Sequence, residues 1–342
     1  MNITKKYVII LMTVLMISLF SLSTFAYPSP DNPLDMDIGH ILAPETIQHQ
    51  ALLRYAEMVE ERTDGALKIN VFPAQQLGSA PDMLESVSIG AQSMWFETPS
   101  WLQVYSERLK VTEIPFLYDG TMEHLDRYYD EVLEDKILPE LIENGNVRMI
   151  NYGNRWLRTP YMVLVSRKPV FSVEDIQDLN IRIWPSATIQ ETWGRMGPDV
   201  TIIDYSEVYL ALQYGTVDAL PTPITLVYPQ RFTEVAKYVI ETRDYAIIDA
   251  LVINNDLWEG LSPSQQQAML EASDEIGDWL NEHVMEQVEE MKQRMISEHN
   301  AVFIRINRKP LEELVLDNAL PVLIEEGIIK QEHADDLMKI RD

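Results

Sequence analysis

The 342-residue chain contains no cysteine. That excludes disulfides, thiolate metal sites and cysteine nucleophiles, and it removes the lipid-bearing cysteine that tethers many exported receptors. Positive charge is scarce, with 27 Lys and Arg facing 54 Asp and Glu. Two of those cations, Lys5 and Lys6, fall in a leader-like stretch, so beyond residue 26 the balance is 25 against 54, a net −29. Nucleic acids and anionic membrane surfaces are disfavoured partners for such a chain. The six histidines, His40, His49, His124, His283, His299 and His333, show no metal-ligand pairing at helical spacing, and no metal site is expected. A Gly-x-Ser-x-Gly elbow, a phosphate-cradling glycine loop and a dinucleotide fingerprint are all missing. Carboxylates are so abundant that no pair stands out for acid/base work. No cofactor and no catalytic residue are expected.

Long apolar runs are absent with one exception. The run from Tyr7 to about Leu22 follows Lys5-Lys6 and ends at Thr24-Phe25-Ala26, the small-residue pattern of a cleaved export signal. It is short for a spanning helix. Residues 1–26 therefore read as a signal peptide, and the remainder as a periplasmic protein that is not membrane-embedded and acts as a monomer. The 316 residues beyond Ala26 suit about two domains.

What is present is alternation of strand and helix signals. Met36–Gly39 reads as a strand, Pro44–Arg62 as an amphipathic helix closed by Asp64-Gly65, Leu67–Phe72 as a strand, Ser79 as a helix cap, and Gln92–Phe96 as a buried strand. This is a βαβ pattern with a parallel sheet. A second such system begins near Gly153: Tyr161–Ser166 and Asn180–Trp184 read as strands, Asp204 caps a helix with Glu207 as its reciprocal partner, and Gly215 ends it. Ser262, Pro263 and Gln265 then start a helix that runs to about Asn300, roughly 55 Å and long enough to cross both lobes. The expected fold is α/β, two-lobed, with a cleft between the lobes. The expected boundaries are 35–152 plus about 243–265 for lobe I, 153–242 for lobe II, 262–300 for the long helix, and 301–342 packing on both.

Arg182 stands out within this frame. It sits in an apolar strand that Pro185 stops, just before Ser186 caps a helix whose N-terminal N–H groups favour an anion. The guanidinium fork matches a carboxylate bidentately and keeps its charge at physiological pH. The pattern leaves two roles open, a ligand clamp or a structural ion pair. Arg155 and Arg158 lie nearby in sequence terms, and Glu97 ends an apolar strand where a sheet's crevice begins. Trp95, Trp156 and Trp184 can stack on a ligand or fill the core.

The order of short motifs resembles the periplasmic substrate-binding proteins of TRAP (tripartite ATP-independent periplasmic) transporters, of the dicarboxylate-receptor type. The matching pieces are Glu61-Arg62-Thr63-Asp64-Gly65, Val71-Phe72-Pro73 with Gln76-Leu77-Gly78, and Ile114-Pro115-Phe116. They continue with Gly153-Asn154-Arg155, Asp178-Leu179-Asn180-Ile181-Arg182, Ser206-Glu207-Val208-Tyr209, Ala211-Leu212-Gln213, Gly215 and Val217-Asp218. The resemblance implies a receptor that closes on an organic acid and delivers it to a permease driven by an ion gradient. The two-lobed reading places the hinges near Gly153 and in the return crossing around Glu241–Tyr245. It implies that Arg182 pairs with the ligand carboxylate, with Arg155 and Glu97 lining the same cleft. Where the family often carries Gly-x-Glu-Asn-Pro, this chain reads Ala219-Leu220-Pro221-Thr222-Pro223, which puts Thr222 in place of a ligand-bonding asparagine. Arg158 competes with Arg155 for the cleft. The alternatives are an exported ligand-binding sensor and a secreted hydrolase.

Overall fold

The computed structural model describes residues 27–118 and 121–339, so the expected signal at residues 1–26 lies outside the described residues. Twelve strands form two sheets among them. Sheet I holds β1 (Leu34–Gly39), β2 (Leu67–Phe72), β3 (Met94–Glu97), β4 (Val147–Met149), β5 (Trp156–Thr159) and, returning from far along the chain, β11 (Ile247–Asn254). Its order is β2-β1-β3-β11-β4, with β5 also on β11. The first three strands pair in parallel, as the βαβ pattern predicts, while β11 is antiparallel to β3, β4 and β5, so the sheet is mixed. Thr46 starts the connecting helix, Ile47–Arg62, by accepting from His49 N, and Ile47, Ala51, Leu52, Tyr55 and Val59 give it one buried face.

Sheet II holds β6 (Met162–Ser166), β7 (Asn180–Ile183), β8 (Asp199–Ile202), β9 (Ala219–Pro223), β10 (Tyr238–Glu241) and β12 (Val302–Arg305), in the order β12-β10-β6-β9-β7-β8. Two prolines shape it. β9 pairs with β6 through all five of its residues, but with β7 only at Ala219 and Ile181. Pro221 and Pro223 have no N–H to give on the β7 side, so β7 and β9 part toward their C-terminal ends. Arg182 and Thr222 stand at that parting.

Strand pairing moves the lobe boundary. The stretch after Gly153, expected to open lobe II, instead pairs through β5 with β11 of sheet I, and the chain crosses at Pro160–Tyr161. The return crossing, residues 242–246, lies beside it: Arg243 N donates to Met162 O at 3.0 Å and Met162 N to Tyr245 O at 3.2 Å. Gly153 itself packs so closely that a Cβ there would sit 2.7 Å from Asp274 Oδ1.

The long helix spans Pro263–His299, 37 residues, with the expected Ser262/Gln265 capping box and a left-handed Asn300 at its end. Met269, Ala272, Ile276, Leu280 and Val284 join the core of lobe I, and Val288, Met291 and Met295 join that of lobe II. After it, β12 adds to the edge of sheet II, and the helices Lys309–Glu313 and Leu320–Glu325 continue onto lobe II. The Gln331–Met338 helix reaches back to lobe I, where Asp336 lies 3.4 Å from Arg108 and 3.2 Å from Lys136.

Candidate ligand-binding site

A cavity of about 110 Å³ lies between the lobes, lined by residues of both. Lobe I contributes Glu97 from the end of β3, Glu113, Trp101 and Leu125, together with Arg158 from β5. Lobe II contributes Arg182 and Trp184 from the end of β7, Tyr205, and Thr222 between its two prolines. This is the crevice position at the carboxyl ends of parallel strands.

The two arginines on the wall differ in their partners. Arg158 is clamped by two carboxylates of sheet I: Nη1 donates to Glu97 Oε2 at 2.6 Å, and Nε donates to Asp249 Oδ1. Burial alone would lower its pKa, but Asp249 and Glu97 outweigh burial and hold it above the ordinary guanidinium range. Burial pushes the Asp249 carboxyl up to about 7 against the pull of Arg158, as expected where one cation serves two buried acids. Asp249 escapes a reading of sequence because it lies 91 residues from Arg158, and only the return of β11 brings them together.

Arg182 has no such partner. Its residue is 4 % exposed, Nε donates to the Ile203 carbonyl at 2.9 Å, and the guanidinium carbon lies 5.6 Å from the Tyr205 ring centroid. Among the described residues no carboxylate lies within ion-pair distance of it. Asp204, whose charge bears on Arg182, is occupied by Ser206 N at 3.0 Å, Ser206 Oγ at 2.7 Å and Gln75 Nε2 at 3.4 Å. Burial pulls the Arg182 pKa down to about 10, with Tyr205 and Asp204 opposing. The structural ion pair that the residue pattern allowed is thus absent.

Several polar atoms on or beside this wall are buried without a hydrogen-bond partner: Glu97 Oε1, Arg158 Nη2, Tyr205 OH, Thr222 Oγ1 and, behind Arg158, Asp249 Oδ2. Thr222 bears on the Tyr205 phenol, yet neither hydroxyl meets hydrogen-bond geometry. Buried groups of this kind call for a partner.

Glu113 is the wall residue that sequence patterns do not single out, because it ends a short 3₁₀ segment, Glu107–Glu113, with no periodicity to mark it. Its carboxylate accepts from Ser186 Oγ and, at 3.3 Å, from Trp184 Nε1 across the cleft. Ser186 caps the Ala187–Met196 helix as expected, accepting from Ile189 N. The anion at that helix N-terminus is therefore the protein's own. Burial raises Glu113 to about 7, while the hydrogen bonds from Ser186 and Trp184 oppose.

Of the seven residues singled out from sequence, Arg182, Glu97, Thr222 and Trp184 line the cavity, and three do not. Arg155 faces the Met122–Val132 helix, where Asp126 and Asp130, four residues apart on one face, hold it at 3.3 and 2.6 Å; Arg158 takes the cleft position. Trp95 donates Nε1 to Ala80 O at 3.2 Å in the lobe I core. Trp156 donates to Ser273 O at 2.9 Å and packs between Tyr55 and Phe96, whose ring centroids lie 6.0 and 5.5 Å away. Trp95 lies two residues back from Glu97 on the same strand face, and Trp156 opens β5, so both indoles sit short of the strand ends that reach the cleft and serve the core instead.

Residues 38–318 match the model of bacterial extracellular solute-binding protein family 7. The chain belongs to that family. It is a TRAP-type periplasmic solute-binding protein and not an enzyme, as the motif order implies. A 2,3-diketo-L-gulonate-binding periplasmic protein of Escherichia coli is 27 % identical over 294 residues, 86 % of each chain. Among solved structures, a TRAP periplasmic solute-binding protein of Roseobacter denitrificans with bound L-galactonate superposes with a TM-score of 0.80 at 22 % identity, covering 90 % of this chain and 98 % of that one. One from a Sulfitobacter species with bound β-D-galacturonate gives 0.82 at 19 % identity, covering 90 % and 100 %. Among the described residues no helix is long and apolar enough to cross a membrane, and no cluster of His, Asp and Glu is arranged to hold a metal.

Proposed function

We propose that the chain captures an organic acid between its lobes, with the ligand carboxylate on Arg182, and delivers it to the membrane permease of a TRAP transport system. One observation carries this reading: Arg182 is buried at the cavity wall with no carboxylate partner, while the other two buried arginines among the described residues, Arg155 and Arg158, each have two. A buried charge left unpaired is costly, and an anion entering the cleft removes that cost. The net charge of −29 on the residues beyond 26 repels an approaching anion, but screening over roughly 8–10 Å leaves the local cation to decide binding.

Closure joins the lobes around the ligand. Gln75 of lobe I meets Asp204 of lobe II at 3.4 Å, and Glu113 meets Ser186 and Trp184. With water excluded, the carboxylate–guanidinium pair strengthens in the lower dielectric. Thr222 and Tyr205 offer hydroxyls beside it, and Glu97 Oε1 accepts from a ligand donor.

A thermal-shift screen of organic acids, neutral sugars and cationic amines identifies the ligand class, and carboxylates alone are expected to raise the melting temperature. For the acid found, Arg182→Ala should weaken binding by roughly 30- to 150-fold in isothermal titration, the loss of a charge-assisted pair of about 2–3 kcal/mol. A loss below about threefold removes Arg182 from the assignment.

A further inference from the structure

The charge balance of the cavity says more than that the ligand is an acid. Two cations line it, Arg158 and Arg182. Arg158 is already neutralised by Glu97 and Asp249, and Arg155, the other buried cation at hand, is turned away onto Asp126 and Asp130. The remaining charged groups on the wall are carboxyls, Glu97 and Glu113. One ligand charge is therefore matched and a second is opposed. The distal carboxylate of a dicarboxylic acid would meet no free guanidinium and two acidic side chains, an arrangement that disfavours the charged form.

Most of the rest of the wall is carbon. Ile41, Trp101 and Leu125 on lobe I face Trp184, Pro223 and Leu226 on lobe II, and Trp184 has its one donor committed to Glu113. Of the further hydroxyls there, Thr112 donates to Leu109 O at 2.8 Å and Thr98 and Ser100 bond each other at 3.1 Å, which leaves the phenols of Tyr129 and Tyr245 as the wall's other polar groups. The unpaired polar atoms belong instead to Tyr205, Thr222, Glu97 and Arg158. The Tyr205 ring lies 5.6 Å from the Arg182 guanidinium carbon and Thr222 stands beside Arg182 where β7 and β9 part, which sets these two hydroxyls at the carboxylate end. A polyhydroxylated acid would press most of its hydroxyls on carbon, each unmatched one costing roughly fivefold or more in affinity.

We infer that the ligand is a monocarboxylate with a compact apolar body, polar only at or next to its carboxylate. This rests on the carboxylate reading of Arg182 and narrows it. A volume of about 110 Å³ is of the order of the roughly 150 Å³ apolar cavity that holds a benzene-sized guest, which suits a small branched or single-ring acid.

The test uses acids of matched length. Isothermal titration of the purified protein with hexanoate, phenylacetate, adipate and D-gluconate separates body from charge. Hexanoate or phenylacetate binding at least tenfold more tightly than both adipate and gluconate supports the inference. Adipate or gluconate binding as tightly as the better apolar acid overturns it and leaves the carboxylate reading standing. Failure of all four to bind, with an amine or neutral sugar binding in their place, overturns both.

Discussion

The two walls of the cleft bury their charges equally well and satisfy them differently. On the lobe I side, Glu97, Arg158 and Asp249 form a closed set in which one cation serves two acids. On the lobe II side, Arg182 has a backbone carbonyl, an aromatic face and no counter-ion. Burial and residue type do not separate these arginines, since both are at most 4 % exposed. Only the inventory of partners does. The lobe I set supports the fold, and the lobe II cation is left for what arrives from outside.

The sharpest way to break this contrast is to remove each cation with a side chain of similar length. Arg158→Met leaves Glu97 and Asp249 buried without compensation and should cost about 3–5 kcal/mol of stability, read from chemical denaturation. Arg182→Met removes an unpaired buried charge, so the ligand-free protein should lose no stability. Equal losses in both variants would erase the distinction between the walls.

Next in size is the pH response. The Glu113 carboxyl is raised from 4.5 to about 7, so between those values the folded state holds a proton that the unfolded state has released. Stability contributed by this group is complete below about pH 4.5 and falls as pH rises through about 7, by up to about 3 kcal/mol. Asp244, raised to about 6, and Asp249, raised to about 7, act in the same direction. Glu113→Gln should flatten the fall in denaturation midpoint between pH 5 and 7.5 without abolishing it. An unchanged slope would show that Glu113 is not the titrating bridge between the walls.

The smallest effect belongs to Thr222→Val. It removes an unpaired hydroxyl while keeping the shape of the side chain, so ligand-free stability should hold or rise slightly. Affinity for the cognate acid should fall by up to about tenfold, the worth of one hydrogen bond. Titration of the variant with the acid found in the screen measures it.

Local signals were readable in the chain. Ser262, Pro263 and Gln265 mark the start of the long helix, Ser186 marks the helix after Arg182, and the apolar alternation around Arg182 places it in a strand. Partnerships were not readable. Arg155 and Arg158 are three residues apart, and their fates depend on Asp126 and Asp130 of one helix and on Asp249 of a strand that returns nearly a hundred residues later. The same return captures β5 for sheet I and moves the lobe boundary from Gly153 to Pro160–Tyr161. Asp126 and Asp130 did carry a signal, a four-residue acidic spacing on a helix, but its target is a matter of packing. Trp95 and Trp156 illustrate the same limit, because how far along its strand a side chain stands from the cleft is settled only when the second lobe is in place.

The long helix sets a final condition. Val284 belongs to one core and Val288 to the other, a single turn apart. Any rotation of one lobe against the other has to be absorbed within that turn, either as curvature of the helix axis or as slippage of one row of side chains. The helix thus behaves as a stiff spring shared by two bodies, and its elastic resistance is subtracted from whatever the ligand contributes. Affinity in such a receptor is partly a mechanical property, set some distance from the cleft by how readily one turn of helix flexes.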